Sequence, residues 1–95
     1  MKVRLSAEAR QDLLAIGDYI ARDNPARALS FVQELMGRCA SLAGTPSSFP
    51  IVPRYEAKGI RRRLRGDYQI FYRVDGDFVL VVRVLHGARD YEALL

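Results

Sequence analysis

The sequence predicts a small α+β domain in which a helix hairpin packs on an antiparallel sheet. Three observations predict it. Residues 7–43 place apolar side chains at alternating spacings of three and four, the period of one helix face, while residues 59–85 hold strand-forming runs separated by turn signals. The chain has 95 residues, enough for one domain and too few for two. Hydrophobic residues make up 49% and charged residues 27%, a balance that supports a folded core and argues against disorder.

Each element has its own signature. In residues 2–5, Val3 and Leu5 alternate with Lys2 and Arg4, which suits a short half-buried strand. Ser6 is placed to cap a helix over residues 7–22, and Glu8 favours its positive end. Ala9, Leu13, Ile16 and Ile20 form its apolar stripe, and Gly17 marks close packing. Asp23-Asn24-Pro25 punctuates the chain, with Asn24 as cap and proline at the first helical position, where no hydrogen bond is lost. A second helix to about residue 43 carries the stripe Ala28, Val32, Leu35, Cys39 and Leu42, widened by Phe31 and Met36. Glu34 and Arg38 make an i,i+4 pair on its wetter side. So short a link forces the two helices into an antiparallel hairpin.

Residues 44–58, with prolines at 46, 50 and 53, read as a loop. A strand begins near Gly59, with Ile60, Arg62 and Leu64 on one face and Arg61, Arg63 and Arg65 on the other. Gly66-Asp67 turns the chain into residues 68–74, rich in strand formers, and Asp75-Gly76 signals a hairpin. Residues 78–85 are the most apolar run and so predict a central strand. His86-Gly87 ends it, and residues 88–95 form a short terminal helix or an ordered tail. The helices cover one sheet face and leave the other partly open.

Composition excludes several classes. Cys39 is the only cysteine, so no intrachain disulfide forms, and with a single histidine it cannot build a zinc site. There is no Walker loop, no G-x-G-x-x-G and no H-E-x-x-H, so no cofactor or metal is expected. The amino end lacks the apolar run of a signal peptide and no stretch is apolar enough to span a membrane, which makes the cytoplasm the expected location. The net charge is +4, with 13 arginines among 15 basic residues. Residues 54–73 hold seven basic side chains against Glu56 and Asp67. Three arginines on one strand face repel one another unless something acidic covers them, so a solvated face and a partner-binding face are the two readings of this cluster.

Leu5-Ser6, Ala9, Asp12-Leu13, Ile16, Tyr19-Ile20-Ala21, Asp23-Asn24-Pro25, Ala28, Phe31-Val32, Leu35, Leu42-Ala43 and Pro46 form one pattern in the first half. Gly59-Ile60-Arg61-Arg62, Tyr68-Gln69-Ile70-Phe71-Tyr72-Arg73-Val74 and Val82-Arg83-Val84-Leu85-His86-Gly87-Ala88-Arg89-Asp90 follow in the second. Together they resemble the RelE/ParE toxin superfamily of bacterial type II toxin–antitoxin systems, over nearly the whole chain. The helix hairpin and the closing motif resemble the ParE side more. The resemblance implies a RelE-like fold, a cognate antitoxin of ParD-like or similar type in a hetero-oligomer, and growth inhibition through DNA gyrase. The alternative it implies is a RelE-like endonuclease that cuts messenger RNA in the ribosome. A non-toxic binding module on the same fold is the third reading.

The chemistry separates these readings. Cleavage by 2′-hydroxyl attack needs a base, an acid and cations at the phosphate. Glu56, His86 and Tyr91 are the acid–base candidates, with Arg83 among the cations. RelE-like nucleases carry an arginine where this chain has Gln69, which brings no charge. An inhibitor needs only a complementary surface, for which Arg61, Arg63, Arg65, Gln69, Arg73, Arg83 and Arg89 are the candidates. A structural role competes in each case: His86 at a strand end as a hydrogen-bonder, Tyr68 and Tyr72 as packing residues, Arg89 with Asp90 as an ion pair holding the tail. Cys39 in the helical stripe reads as a small buried hydrophobe. Register decides whether Arg73 and Arg83 join the cluster. A two-residue Asp75-Gly76 loop pairs Tyr68 with Arg83, whereas a three-residue Asp75-Gly76-Asp77 loop pairs Gln69 with Arg83 and puts Gln69, Arg73 and Arg83 on one face. An acidic amphipathic antitoxin segment is expected across the basic sheet face and the helix hairpin.

Overall fold

The computed structural model describes residues 1–87 and 89–95, so Ala88 of the closing motif lies outside the described residues. Strand β1 (Lys2–Leu5) leads into helices α1 (Ala7–Ala21) and α2 (Pro25–Ala40), and a 3₁₀ turn, Ser41–Ala43, extends α2. A second 3₁₀ turn, Glu56–Lys58, precedes β2 (Arg61–Arg65), β3 (Tyr68–Asp75) and β4 (Phe78–His86). The sheet order is β1-β4-β3-β2. The last three strands form the expected antiparallel meander, and β1 joins β4 in parallel, which makes the sheet mixed.

The helix starts follow from their caps. Ser6 Oγ accepts from the Ala9 N–H at 3.0 Å, and Asn24 Oδ1 accepts from the Arg27 N–H at 3.0 Å with Pro25 opening α2. Both stripes face the sheet. Ala9, Leu13, Ile16, Leu35, Cys39 and Leu42 pack with Ile70, Tyr72, Val79, Val81 and Val84 in the first core. At Gly17 a β-carbon would meet Val32 Cγ2 at 3.3 Å, so the helices cross there in near contact.

Two expectations are corrected. The hairpin loop is neither Asp75-Gly76 nor Asp75-Gly76-Asp77. Asp75 pairs with Phe78, so Gly76 and Asp77 form the loop, and Gly76 supplies the positive φ of 63°. A bulge then shifts the register again: Tyr72 faces Val81 and Phe71 faces Arg83, leaving Val82 as the extra residue. Gln69 therefore pairs with Leu85, and Tyr68 with His86. The second correction concerns the sheet face away from the helices. Val52, Ile60, Phe71 and Leu85 form a second core there, covered by Tyr55 from the loop and by Tyr91, Leu94 and Leu95 from the tail. The tail is ordered by turns, with the Leu94 and Leu95 N–H groups donating to the Tyr91 carbonyl.

The bulge lies where β1 ends. Leu5 pairs with Val81, and beyond that point β4 has no strand on this edge. The start of α1 takes over. The Ser6 N–H donates to the Val81 carbonyl at 2.9 Å, and Ser6 Oγ donates to the Val82 carbonyl at 2.7 Å. Asp12 Oδ2 accepts the Val84 N–H at 3.0 Å, and the Asp12 carboxylate takes a forked pair of 2.8 Å hydrogen bonds from Arg83 Nε and Nη2. Asp12 is buried and its partner nearly so, at 8% and 14% side-chain exposure. The hydrogen bonds to Asp12 raise the Arg83 guanidinium pKa above its already high value.

Removing one partner strands a buried charge. Asp12→Ala is expected to cost about 3–5 kcal/mol in urea unfolding, and Asp12→Ala/Arg83→Met to recover part of that loss. An unfolding midpoint unchanged in the single variant would refute the assignment. Cys39 gives a second check. Burial pushes its thiol up to about 11, against the opposing charge of Arg63. The thiol should resist aromatic disulfide reagents at pH 8 until the chain unfolds. A folded pKa above the ordinary 9.0 adds stability below pH 9 that is lost as pH rises towards 11. The fall in stability over that window should be shallower in Cys39→Ala, and an equal fall in both proteins would contradict it.

Candidate functional site

The arginine cluster on β2 is built from alternation. Arg61, Arg63 and Arg65 turn towards the helix side, where the end of α2 meets them. Arg61 Nη1 donates to the Phe49 carbonyl at 2.7 Å and to the Ser47 carbonyl at 3.3 Å. Arg63 Nη1 donates to Ser41 Oγ at 2.6 Å and to the Arg38 carbonyl at 3.1 Å, and its guanidinium lies 4.7 Å from the Phe49 ring centre. The last carbonyls of a helix carry partial negative charge, so α2 itself covers this cation. Arg65 Nη2 reaches Glu34 Oε2 at 3.2 Å. Glu34 also takes Arg27 at 3.2 Å, so its ion pairs are with Arg27 and Arg65, where the sequence spacing had pointed to Arg38. The hydrogen bond from Arg27 is the main cause of its lowered pKa.

The other face of β2 is engaged too. Arg62 Nη1 donates to Gln69 Oε1 at 3.0 Å and lies 5.8 Å from the Tyr91 ring centre. Gln69 is buried at 6% exposure and works inside the molecule as an acceptor for that arginine. Arg83 pairs with Phe71 and so lies on the strand face of Gln69 and Arg73, but its guanidinium is committed to Asp12 and Gln69 is engaged by Arg62, so the three make no common binding patch. Arg73 sits near the tip of β3, beside Asp75 at 3.4 Å.

The acid–base candidates divide between two places. Tyr91 packs on the second core, its ring 5.1 Å from Phe71 and 6.4 Å from Tyr55. Glu56 is exposed on the adjoining loop, and its Oε1 accepts the Arg54 N–H at 3.1 Å. His86 meets the edge of the Tyr68 ring at 5.2 Å, and Tyr68 in turn packs on Phe31 of α2 at 5.3 Å. His86 and Arg89 thus line a groove of about 630 Å³ along α1, together with Tyr19, Asp67 and Tyr68. Burial raises the Tyr68 phenol pKa, and Tyr19 and Asp67 nearby add to the shift.

A second groove, of about 590 Å³, runs between α1 and α2, with Leu5 of β1 also in its lining. Leu14, Leu29 and Met36 line it and are 61%, 65% and 50% exposed, with Gly17 and Val32 at its floor. The sequence pointed to the helix hairpin as a docking face but had Met36 widening the buried stripe of α2, where it is half exposed, and gave no role to Leu14 and Leu29, which lie off the two stripes. That position is itself the signal: large apolar residues beside a complete stripe widen the apolar surface beyond what the core uses. Asp12 was also missed as a structural residue. Its signal was a carboxylate next to Leu13 and Ile16 on the buried side of α1.

Comparison with known proteins agrees with this arrangement. Residues 3–91 match the family model of the ParE toxin of the type II toxin-antitoxin system, parDE. Among solved structures, the chain is similar to one from the chromosomal ParDE toxin-antitoxin system of P. aeruginosa. The two are 26% identical, with 90% of this chain and 95% of that chain covered and a TM-score of 0.75. A chain of the RelBE2 toxin-antitoxin complex from Mycobacterium tuberculosis is also 26% identical, with the same coverage and a TM-score of 0.58. No curated protein matches at a comparable level. The two helices, the four-stranded sheet and the family match over residues 3–91 converge: the chain belongs to the ParE toxin family of type II toxin–antitoxin systems.

Proposed function

We propose that this toxin acts by binding, inhibiting DNA gyrase and so replication, and that a cognate antitoxin neutralises it. The observation that carries this reading is that His86 is engaged elsewhere than the other two acid–base candidates, packing on Tyr68 in the groove along α1. Tyr91 and Glu56 lie with the second core and its loop, while His86 lies in the groove along α1. Strand-scission chemistry needs such groups within reach of one phosphate, and an inhibitor does not. The higher TM-score against the ParDE chain than against the RelBE2 chain also supports it. One observation favours messenger RNA cleavage on the ribosome as the second reading: His86 and Arg89 share their groove with the Tyr19 and Tyr68 rings.

The antitoxin docks in the groove between α1 and α2. An amphipathic segment that buries the exposed parts of Leu14, Leu29 and Met36 would gain roughly 1–2 kcal/mol for each side chain it covers. Both solved neighbours come from toxin–antitoxin systems, which supports a partner of this kind.

Induction of the chain without antitoxin is expected to arrest growth and to relax plasmid DNA while messenger RNA stays intact. Growth arrest with intact supercoiling and cleaved messengers would favour the nuclease, and no arrest at all would favour a non-toxic binding module. Leu14→Glu/Leu29→Glu should weaken the antitoxin complex at least about a hundredfold by calorimetry, because two apolar anchors become charged. Unchanged affinity in a folded variant would place the antitoxin elsewhere.

A further inference from the structure

One part of the sheet is covered by neither core. The loop and tail cover Val52, Ile60, Phe71 and Leu85, on the side of the sheet away from the helices. On the same side, towards β1 and the tip of the β3–β4 hairpin, Phe78 and Leu80 stand half-buried and pack into neither cluster. Their neighbours Val79 and Val81 face the helices, so alternation sends Phe78 and Leu80 outward. The registers place charged residues on both flanks. Lys2 and Asp75 pair with Phe78, and Arg4 and Arg73 pair with Leu80. The Arg4 guanidinium lies 4.3 Å from the Phe78 ring centre. The result is a short apolar strip with Lys2 and Arg4 on one side and Arg73 on the other.

We propose that this strip is a docking surface for an acidic, extended segment of the toxin's target protein, separate from the antitoxin groove. This inference rests on the reading that the chain acts by binding a target. The three cations call for carboxylates on the partner, and Asp75 compensates only one of them, Arg73, at an exposed 3.4 Å contact. Phe78 and Leu80 call for apolar side chains between those carboxylates, at the two-residue period of a strand. A single-stranded nucleic acid fits less well. Such ligands stack on free aromatic faces, and the one aromatic ring on the strip is already covered by Arg4. The strip also differs from the β2 arginines, whose guanidiniums are held inside the molecule by α2, Glu34 and Gln69.

The test uses the full chain, alone and with antitoxin, carrying Arg4→Glu/Arg73→Glu. The milder Lys2→Gln/Arg4→Gln decides the matter if the reversal disturbs folding, judged by circular dichroism and the urea midpoint. Growth inhibition is expected to fall at least about tenfold in the charge reversal and in part in the milder pair, while antitoxin affinity stays within about twofold. Full growth inhibition in the folded variants would overturn the proposal. So would loss of antitoxin binding alongside toxicity, which would make the strip part of the antitoxin interface. Binding of a short single-stranded oligonucleotide by the wild type, lost in the variants, would overturn it in favour of nucleic acid. Plasmid supercoiling is followed in parallel. If the wild type arrests growth without relaxing DNA, the gyrase reading fails, and the variants still decide whether this strip carries the toxic contact.

Discussion

The structure depends on one buried carboxylate. β1 is only four residues long and leaves β4 unpaired beyond Val81. An open edge at that point would expose the Val82 carbonyl and the Val84 N–H beside the core. Ser6 and Asp12, at the start of α1, satisfy both groups, and Arg83 neutralises the carboxylate that enters with them. The first turns of α1 thus continue, by side-chain hydrogen bonds, an edge that β1 begins with backbone ones. Because α2 follows α1 after a three-residue turn and packs closely on it at Gly17, fixing α1 on β4 also fixes the hairpin and the apolar groove between its helices.

Charge is organised by a related principle. The net +4 resides largely in arginines that find partners within the chain. The carbonyls at the end of α2 hold Arg63, Glu34 holds Arg65 and Arg27, the loop carbonyls hold Arg61, and Gln69 holds Arg62. Guanidinium suits this work, since its several planar donors reach carbonyl and carboxylate oxygens at once. The cluster is therefore first a clamp between β2 and the end of α2. Lys2, Arg4 and Arg73 lie elsewhere, on β1 and at the tip of β3, beside apolar side chains that neither core uses.

Much of the architecture was legible in the sequence because its causes are local. The stripes of α1 and α2, the caps at Ser6 and Asn24 and the strand runs of β3 and β4 follow from periodicity and capping chemistry. The alternation of Arg61, Arg63 and Arg65 against Ile60 and Arg62 was legible for the same reason. What escaped depends on contacts between distant segments. The bulge at Val82 is stabilised by Ser6 and Asp12, at least 70 positions away, so no local pattern announces it. The second core joins Val52, from a proline-rich loop, to Leu94 and Leu95 at the chain's end, and neither segment carries a period. The candidate site was legible mainly as a list of residue types. Which arginines are internal was not, because the counter-charge that claims them is partly the backbone of α2.

The central proposal is that this ParE-family chain acts by binding. The most direct measurement adds the purified toxin to purified DNA gyrase in an ATP-dependent supercoiling assay, alongside messenger RNA on programmed ribosomes. Inhibition of supercoiling with intact messenger, reversed by stoichiometric antitoxin, is the result this account predicts. Site-specific messenger cleavage with gyrase unaffected would contradict it.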